Sequence, residues 1–155
     1  HCVMKAASDA RAVAPRALEH PGLMRALTEL AEEELGHFRQ VLAELERRGL
    51  RLGPPRAGYY AAQRRGRGRG KGSTKDQAAF RRDRLLVGAR IEARSCERFK
   101  LLSQALAPSD PELAAFYASL LASEARHYRT FCDLAKLVEP DEARIERRLA
   151  ELAQI

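Results

Sequence analysis

The chain has 155 residues, 45% of them hydrophobic, which suits one domain with a single sizeable core. Lys and Arg outnumber Asp and Glu by 28 to 21, and residues 56–75 (RAGYYAAQRRGRGRGKGSTK) hold the whole excess of seven with no acid among them. No apolar run approaches the roughly 20 residues of a membrane span, and Cys2, Cys96 and Cys132 neither close a disulfide set nor follow zinc spacing. Neither a membrane-spanning helix nor a disulfide-stapled secreted domain is expected, and the pattern favours a reducing, cytoplasmic setting.

Residues 1–19, rich in Ala, carry an apolar stripe of Val3, Ala7, Ala10, Ala14 and Ala17 and predict a first helix. The stretch opens at His1 without an initiator Met, which leaves room for a preceding segment. From Pro21 to about Gly49 a second stripe runs Leu23, Leu27, Leu30, then Glu34 and His37, and resumes at Val41 and Leu45. Pro21 suits a helix start and Gly49 a C-terminal cap. Residues 53–75 then read as a basic Gly/Arg-rich loop. After it, Leu85, Gly88, Glu92, Cys96, Phe99, Leu102 and Leu106 share one face of a third helix. Ser109-Asp110-Pro111 caps a fourth, whose stripe is Leu113, Tyr117, Leu120, Glu124, His127, Phe131, Leu134 and Val138. A short amphipathic segment at about 141–153 carries Ile145, Leu149 and Leu152. With almost no strand signal, the expected fold is all-α. Two antiparallel helical hairpins form a four-helix bundle over residues 1–155, with a short C-terminal helix.

Both Glu-x-x-His pairs interrupt an apolar seam in mid-helix, so they face inward. In an antiparallel hairpin, residues equidistant from the turn lie at one level, which sets Glu92 opposite Glu124. Glu97 falls roughly 140° further round and reads as surface. Several carboxylates buried together repel one another and cost several kcal/mol each in desolvation. A bound dication answers both costs, and two Glu-x-x-His pairs with further glutamates are the di-iron or di-manganese bundle pattern. The plain alternative is a buried ion-pair network in which neighbouring glutamates keep His37 and His127 protonated. His1 and His20 read as solvated or terminal groups, and the three cysteines as small core residues.

The phrases HCVMKAAS, EEELGHFRQVLAELERRG, RLLVGARIEARSCERFKLL and LLASEARHYRTF closely resemble the tRNA 2-methylthio-isopentenyl-adenosine hydroxylase (MiaE) family, from residue 1 to about 138. The resemblance implies a ferritin-like non-haem di-iron monooxygenase. Such an enzyme would use O2 and an external electron donor to hydroxylate the isopentenyl group of a modified adenosine beside the tRNA anticodon. It further implies Glu34, His37, Glu92, Glu124 and His127 as iron ligands, with Glu34 and Glu124 bridging two ions, one His on each, and Glu92 terminal. The chain departs from the family at Val3, where a Glu ligand is expected.

For the loop, the resemblance favours RNA contact by Tyr59, Tyr60, Arg64, Arg65, Arg67, Arg69 and Lys71. Cations would meet phosphate and Tyr would stack on an unpaired base. A flexible linker is the other reading. A monomer with tRNA as partner and no membrane association is expected. Two rival functions stand beside it: a ferritin-like iron-binding or oxidase protein, and a metal-poor RNA-binding relative suggested by Val3.

Overall fold

The computed structural model describes residues 20–54 and 74–153, with side chains from residue 77 onward in the second of these stretches. All regular elements among them are helices: α1 (Pro21–Arg47), α2 (Thr74–Leu106), α3 (Pro111–Val138) and α4 (Glu142–Ala153). The expected helix over residues 1–19, Val3 within it, and the loop residues 55–73 lie outside the described residues. No described helix is long and apolar enough to cross a membrane.

The breakers act where their chemistry dictates. Pro21 opens α1, and Gly49 follows its end at φ 66°, a conformation that costs glycine nothing. At the start of α3 the Asp110 carboxylate accepts from Leu113 N at 3.0 Å, with Pro111 in the first turn. Helix α2 begins at Thr74, within the expected loop range of 53–75 and well ahead of its first apolar seam residue. After Gly72 the run Thr74–Arg81 contains neither Gly nor Pro, so nothing stops the helix extending backward.

Helices α2 and α3 form an antiparallel hairpin with the most extensive packing among the described helices. Helix α1 crosses to α3: Arg48 Nη1 donates to Asp110 Oδ2 at 2.7 Å, joining the end of α1 to the start of α3. The two therefore run in opposite senses, and α1 and α2 run in the same one. The core joins Leu23, Leu27, Leu30 and Ala31 of α1 to Leu85, Leu86 and Ala89 of α2 and to Phe131, Leu134 and Ala135 of α3. Helix α4 adds Ile145 and Leu152. It is also pinned by Arg148, whose guanidinium donates from Nη2 and Nε to the two Asp83 carboxylate oxygens at 3.0 and 3.3 Å. Burial tapers toward the α2–α3 turn, where the expected seam residues Val41, Leu45, Leu102, Leu106, Leu113 and Tyr117 are only half-buried.

The bundle floor is set by one close approach. The Phe131 ring lies across Gly88, and a Cβ there would stand 2.7 Å from the ring. Gly88→Ala is expected to destabilise by up to about 2 kcal/mol, because overpacking of about 1–3 kcal/mol outweighs about 1 kcal/mol of helix propensity gained. Thermal unfolding should show Tm lowered by several degrees.

Candidate metal centre

Helical period brings Glu34 and His37 of α1, Glu92 of α2, and Glu124 and His127 of α3 to the interior. All five are buried, the three carboxylates to 2% exposure or less. Ligand-capable atoms of Glu34, Glu92, Glu124 and His127 all lie within 4.8 Å of one another. The equal depth of Glu92 and Glu124 expected from the hairpin is thus observed. His37 stands beside this foursome rather than in it, its Nδ1 3.6 Å from Glu34 Oε1 and its ring centroid 5.8 Å from that of His127. His127 Nδ1 lies 2.7 Å from the same Glu34 oxygen, out of hydrogen-bond alignment.

The chemistry of the cluster is unusual for a core. Nine buried side-chain polar atoms among the described residues lack a hydrogen-bond partner, and seven belong to these five residues. They are both oxygens of Glu34 and of Glu92, Oε1 of Glu124, and Nδ1 of each histidine. Buried polar atoms are ordinarily satisfied, so seven orphans on five neighbouring residues call for a shared cationic partner. Carboxylate oxygen with imidazole nitrogen suits iron or manganese. The residues present fit a metal centre.

Without a cation the electrostatics are strained. Burial, followed by the Glu124 carboxyl and the Glu34 charge, pushes the Glu92 carboxyl well above the carboxylate range. Two carboxylates cannot hydrogen-bond to each other, so the Glu92–Glu124 contact is a hydrogen bond only when one of the two carries a proton. Burial and then the Glu34 charge raise Glu124 as well, against the pull of its hydrogen bond with Glu92 and of the two imidazoles. Glu34 goes the other way: burial would raise it, but His127 and His37 together outweigh that and lower it. His127 is raised, because Glu34 and Glu33 overcome the desolvation that opposes its charge.

Glu33 was not expected at the site from the sequence. Its Oε2 accepts from His127 Nε2 at 3.0 Å, and its Oε1 accepts from Arg126 Nη2 at 2.5 Å. The signal for it was an acid directly preceding the first Glu-x-x-His, where the helical turn aims it at the neighbouring helix rather than along its own seam. Glu97 is exposed as expected. Cys96 is half-buried rather than a core residue, and its thiol is raised by burial and then by Glu124. Cys132 is half-buried against the core, while Cys2 and the loop residues Tyr59, Tyr60, Arg64, Arg65, Arg67, Arg69 and Lys71 lie outside the described residues.

A helical bundle that turns Glu and His from three helices onto one interior point is a ferritin-like protein with a buried carboxylate–imidazole site. The family model described as tRNA-(MS[2]IO[6]A)-hydroxylase (MiaE) matches residues 1–155, and the chain belongs to that family. It is 44% identical over 135 residues to a Pseudomonas putida protein named tRNA 2-(methylsulfanyl)-N(6)-isopentenyladenosine(37) hydroxylase. It is 39% identical over 113 residues to the Salmonella typhimurium protein of the same name. These matches take in 87% and 73% of this chain but only 62% and 39% of the relatives, so the chain spans part of their length. Among solved structures, a Synechococcus protein described as having aldehyde deformylating oxygenase activity superposes with a TM-score of 0.83 at 42% identity. That match covers 99% of this chain and 73% of the other.

Proposed function

We propose that the chain is a cytoplasmic, monomeric tRNA-modifying di-iron monooxygenase acting on the isopentenyl group of 2-methylthio-isopentenyl-adenosine beside the anticodon. The observation that carries this reading is the set of seven orphaned ligand atoms at the centre of a MiaE-family bundle. Glu34, with one oxygen near Nδ1 of both histidines, would be shared between two ions, and Glu124 would be shared likewise. His37 and His127 would each serve one ion, and Glu92 would complete the second. When bound, a reduced di-iron pair supplies O2 chemistry at an unactivated C–H bond. The balance is one O2, two electrons from an external donor and two protons, giving a C–OH and a water.

The rest is the work of the chain. Leu30, Leu120 and Phe131, one helical turn from Glu34, Glu124 and His127 on the same faces and each no more than 3% exposed, give the cluster apolar neighbours along the helices. Glu33 holds the His127 ring with its proton on Nε2, because a carboxylate accepts only, and leaves Nδ1 facing the cluster. The test is incubation of iron-loaded protein with prenylated tRNA, reductant and O2, reading nucleoside mass. Gain of one oxygen atom supports the reading. Unmodified tRNA alongside turnover of an added aldehyde would move the chain toward the activity of its Synechococcus neighbour.

The loop of residues 53–75 supplies the tRNA contact in this reading, through Arg64, Arg65, Arg67, Arg69 and Lys71 on phosphate and Tyr59 or Tyr60 on a base. Neutralising the four arginines should weaken tRNA binding and reduce the slope of log K against log salt by about 3, at roughly 0.7–0.9 per phosphate contact. Binding measured at several salt concentrations decides it. An unchanged slope assigns the loop to a linker.

A further inference from the structure

Glu33 treats the two histidines unequally. Its Oε2 takes His127 Nε2 at 3.0 Å, while its Oε1 remains 3.9 Å from His37 Nε2, beyond hydrogen-bond length, and takes Arg126 instead. His127 is therefore fixed in tautomer and ring plane, with Nδ1 2.7 Å from Glu34. His37 holds its Nδ1 3.6 Å from Glu34 with no such brace from Glu33. The chain register explains the difference. Glu33 directly precedes the first Glu-x-x-His, but the residue preceding the second is Ser123, whose hydroxyl accepts from Arg126 Nη2 at 3.1 Å. Among the described residues one bracing carboxylate is present where a symmetric site would hold two, and it is committed to the histidine of α3.

We infer that Glu33 is a positioning residue that makes the two ion subsites unequal, the His127 subsite filling first and more tightly than the His37 subsite. This rests on the metal-centre reading above. The physical basis is that a carboxylate on the far nitrogen raises the basicity of an imidazole ligand and removes the orientational freedom that binding would otherwise have to freeze. The Arg126 guanidinium, on the exposed side, fixes the other Glu33 oxygen and so holds the carboxylate in line.

The experiment adds Mn2+ to metal-free protein and follows binding by calorimetry and by electron paramagnetic resonance. Wild type should show a tight step and a weak one. His127→Ala should delete the tight step and His37→Ala the weak one. Glu33→Ala should weaken the tight step by about 10–100-fold and leave the weak one in place. Glu33→Gln should fall between, since its amide oxygen still accepts from Nε2–H but without charge. Thermal unfolding of metal-free Glu33→Ala should stay within a few degrees of wild type, which a merely structural role would not predict. Two equal steps in wild type, or an unmoved tight step in Glu33→Ala, would overturn the inference while leaving the metal centre standing. Absence of any Mn2+ binding would remove the metal-centre reading and this inference with it.

Discussion

Glu34→Ala, and separately Glu124→Ala, should release both metal ions rather than one. Protein loaded anaerobically with ferrous iron should hold about two irons per chain, and either variant close to none. The expectation follows from position. Glu34 is fully buried, and a single one of its oxygens faces Nδ1 of both histidines, so in the proposed centre it would serve both subsites at once. Removing it leaves His37 and His127 without the carboxylate that joins them, and two carboxylates with two imidazoles are too few to hold two dications, as they are when Glu124 is the one removed. The loss should also appear as lost stabilisation. A ligand that binds only the folded state at 100 times its dissociation constant adds about 2.7 kcal/mol, so iron should raise Tm clearly in wild type and not in the variants. Full iron retention in either variant would sink the bridging assignment. Metal analysis after desalting is the measurement.

The second large effect is a reversal of sign at Glu92 between metal-free and metal-bound protein. Burial and two neighbouring carboxyls raise its folded pKa, so the folded state keeps a proton that the unfolded chain releases above about pH 4.3. Stability of the metal-free protein must then fall as pH climbs above that point, by at most about 1.4 kcal/mol per unit from this one group. His127, also raised, adds to the decline: its stabilising charge is complete below about pH 6.5 and is lost as pH rises through its folded value. Glu34 is lowered, so its contribution is present above about pH 4.3 and disappears on acidification. The metal-free protein should therefore be most stable near pH 5 and weaken toward pH 9, and Glu92→Gln should flatten that decline and raise the neutral-pH Tm. With metal bound the ion takes the place of the proton, so affinity rises with pH and Glu92→Gln loses a ligand and stability together. Tm against pH, in chelator and in excess Mn2+, separates the two regimes. A Glu92→Gln variant less stable than wild type in chelator at pH 8 would contradict the buried-carboxyl account.

Much of this was legible in the residues because helix geometry is local. Leu23, Leu27, Leu30, Glu34 and His37 recur at three and four, so they share a face whatever surrounds them. Pro21, Gly49 and Asp110-Pro111 end or start helices through their own backbone chemistry. The common level of Glu92 and Glu124 needed only the short turn after Leu106, since rise per residue is the same on both sides of it. What lay beyond the sequence were relations between helices that no turn joins. Glu33 sits off the α1 seam and reads as surface by period, yet the crossing of α1 over α3 lays it on His127. The same crossing sets His127 inside the tight foursome and His37 beside it, though the two Glu-x-x-His phrases look equivalent. The half-burial of Val41 and Leu45 likewise depends on how closely neighbouring helices approach at the turn end. Periodicity determines which way a side chain leaves its own helix. The spacing and rotation of the next helix, settled by packing of the Leu and Phe131 core, decide what it meets there.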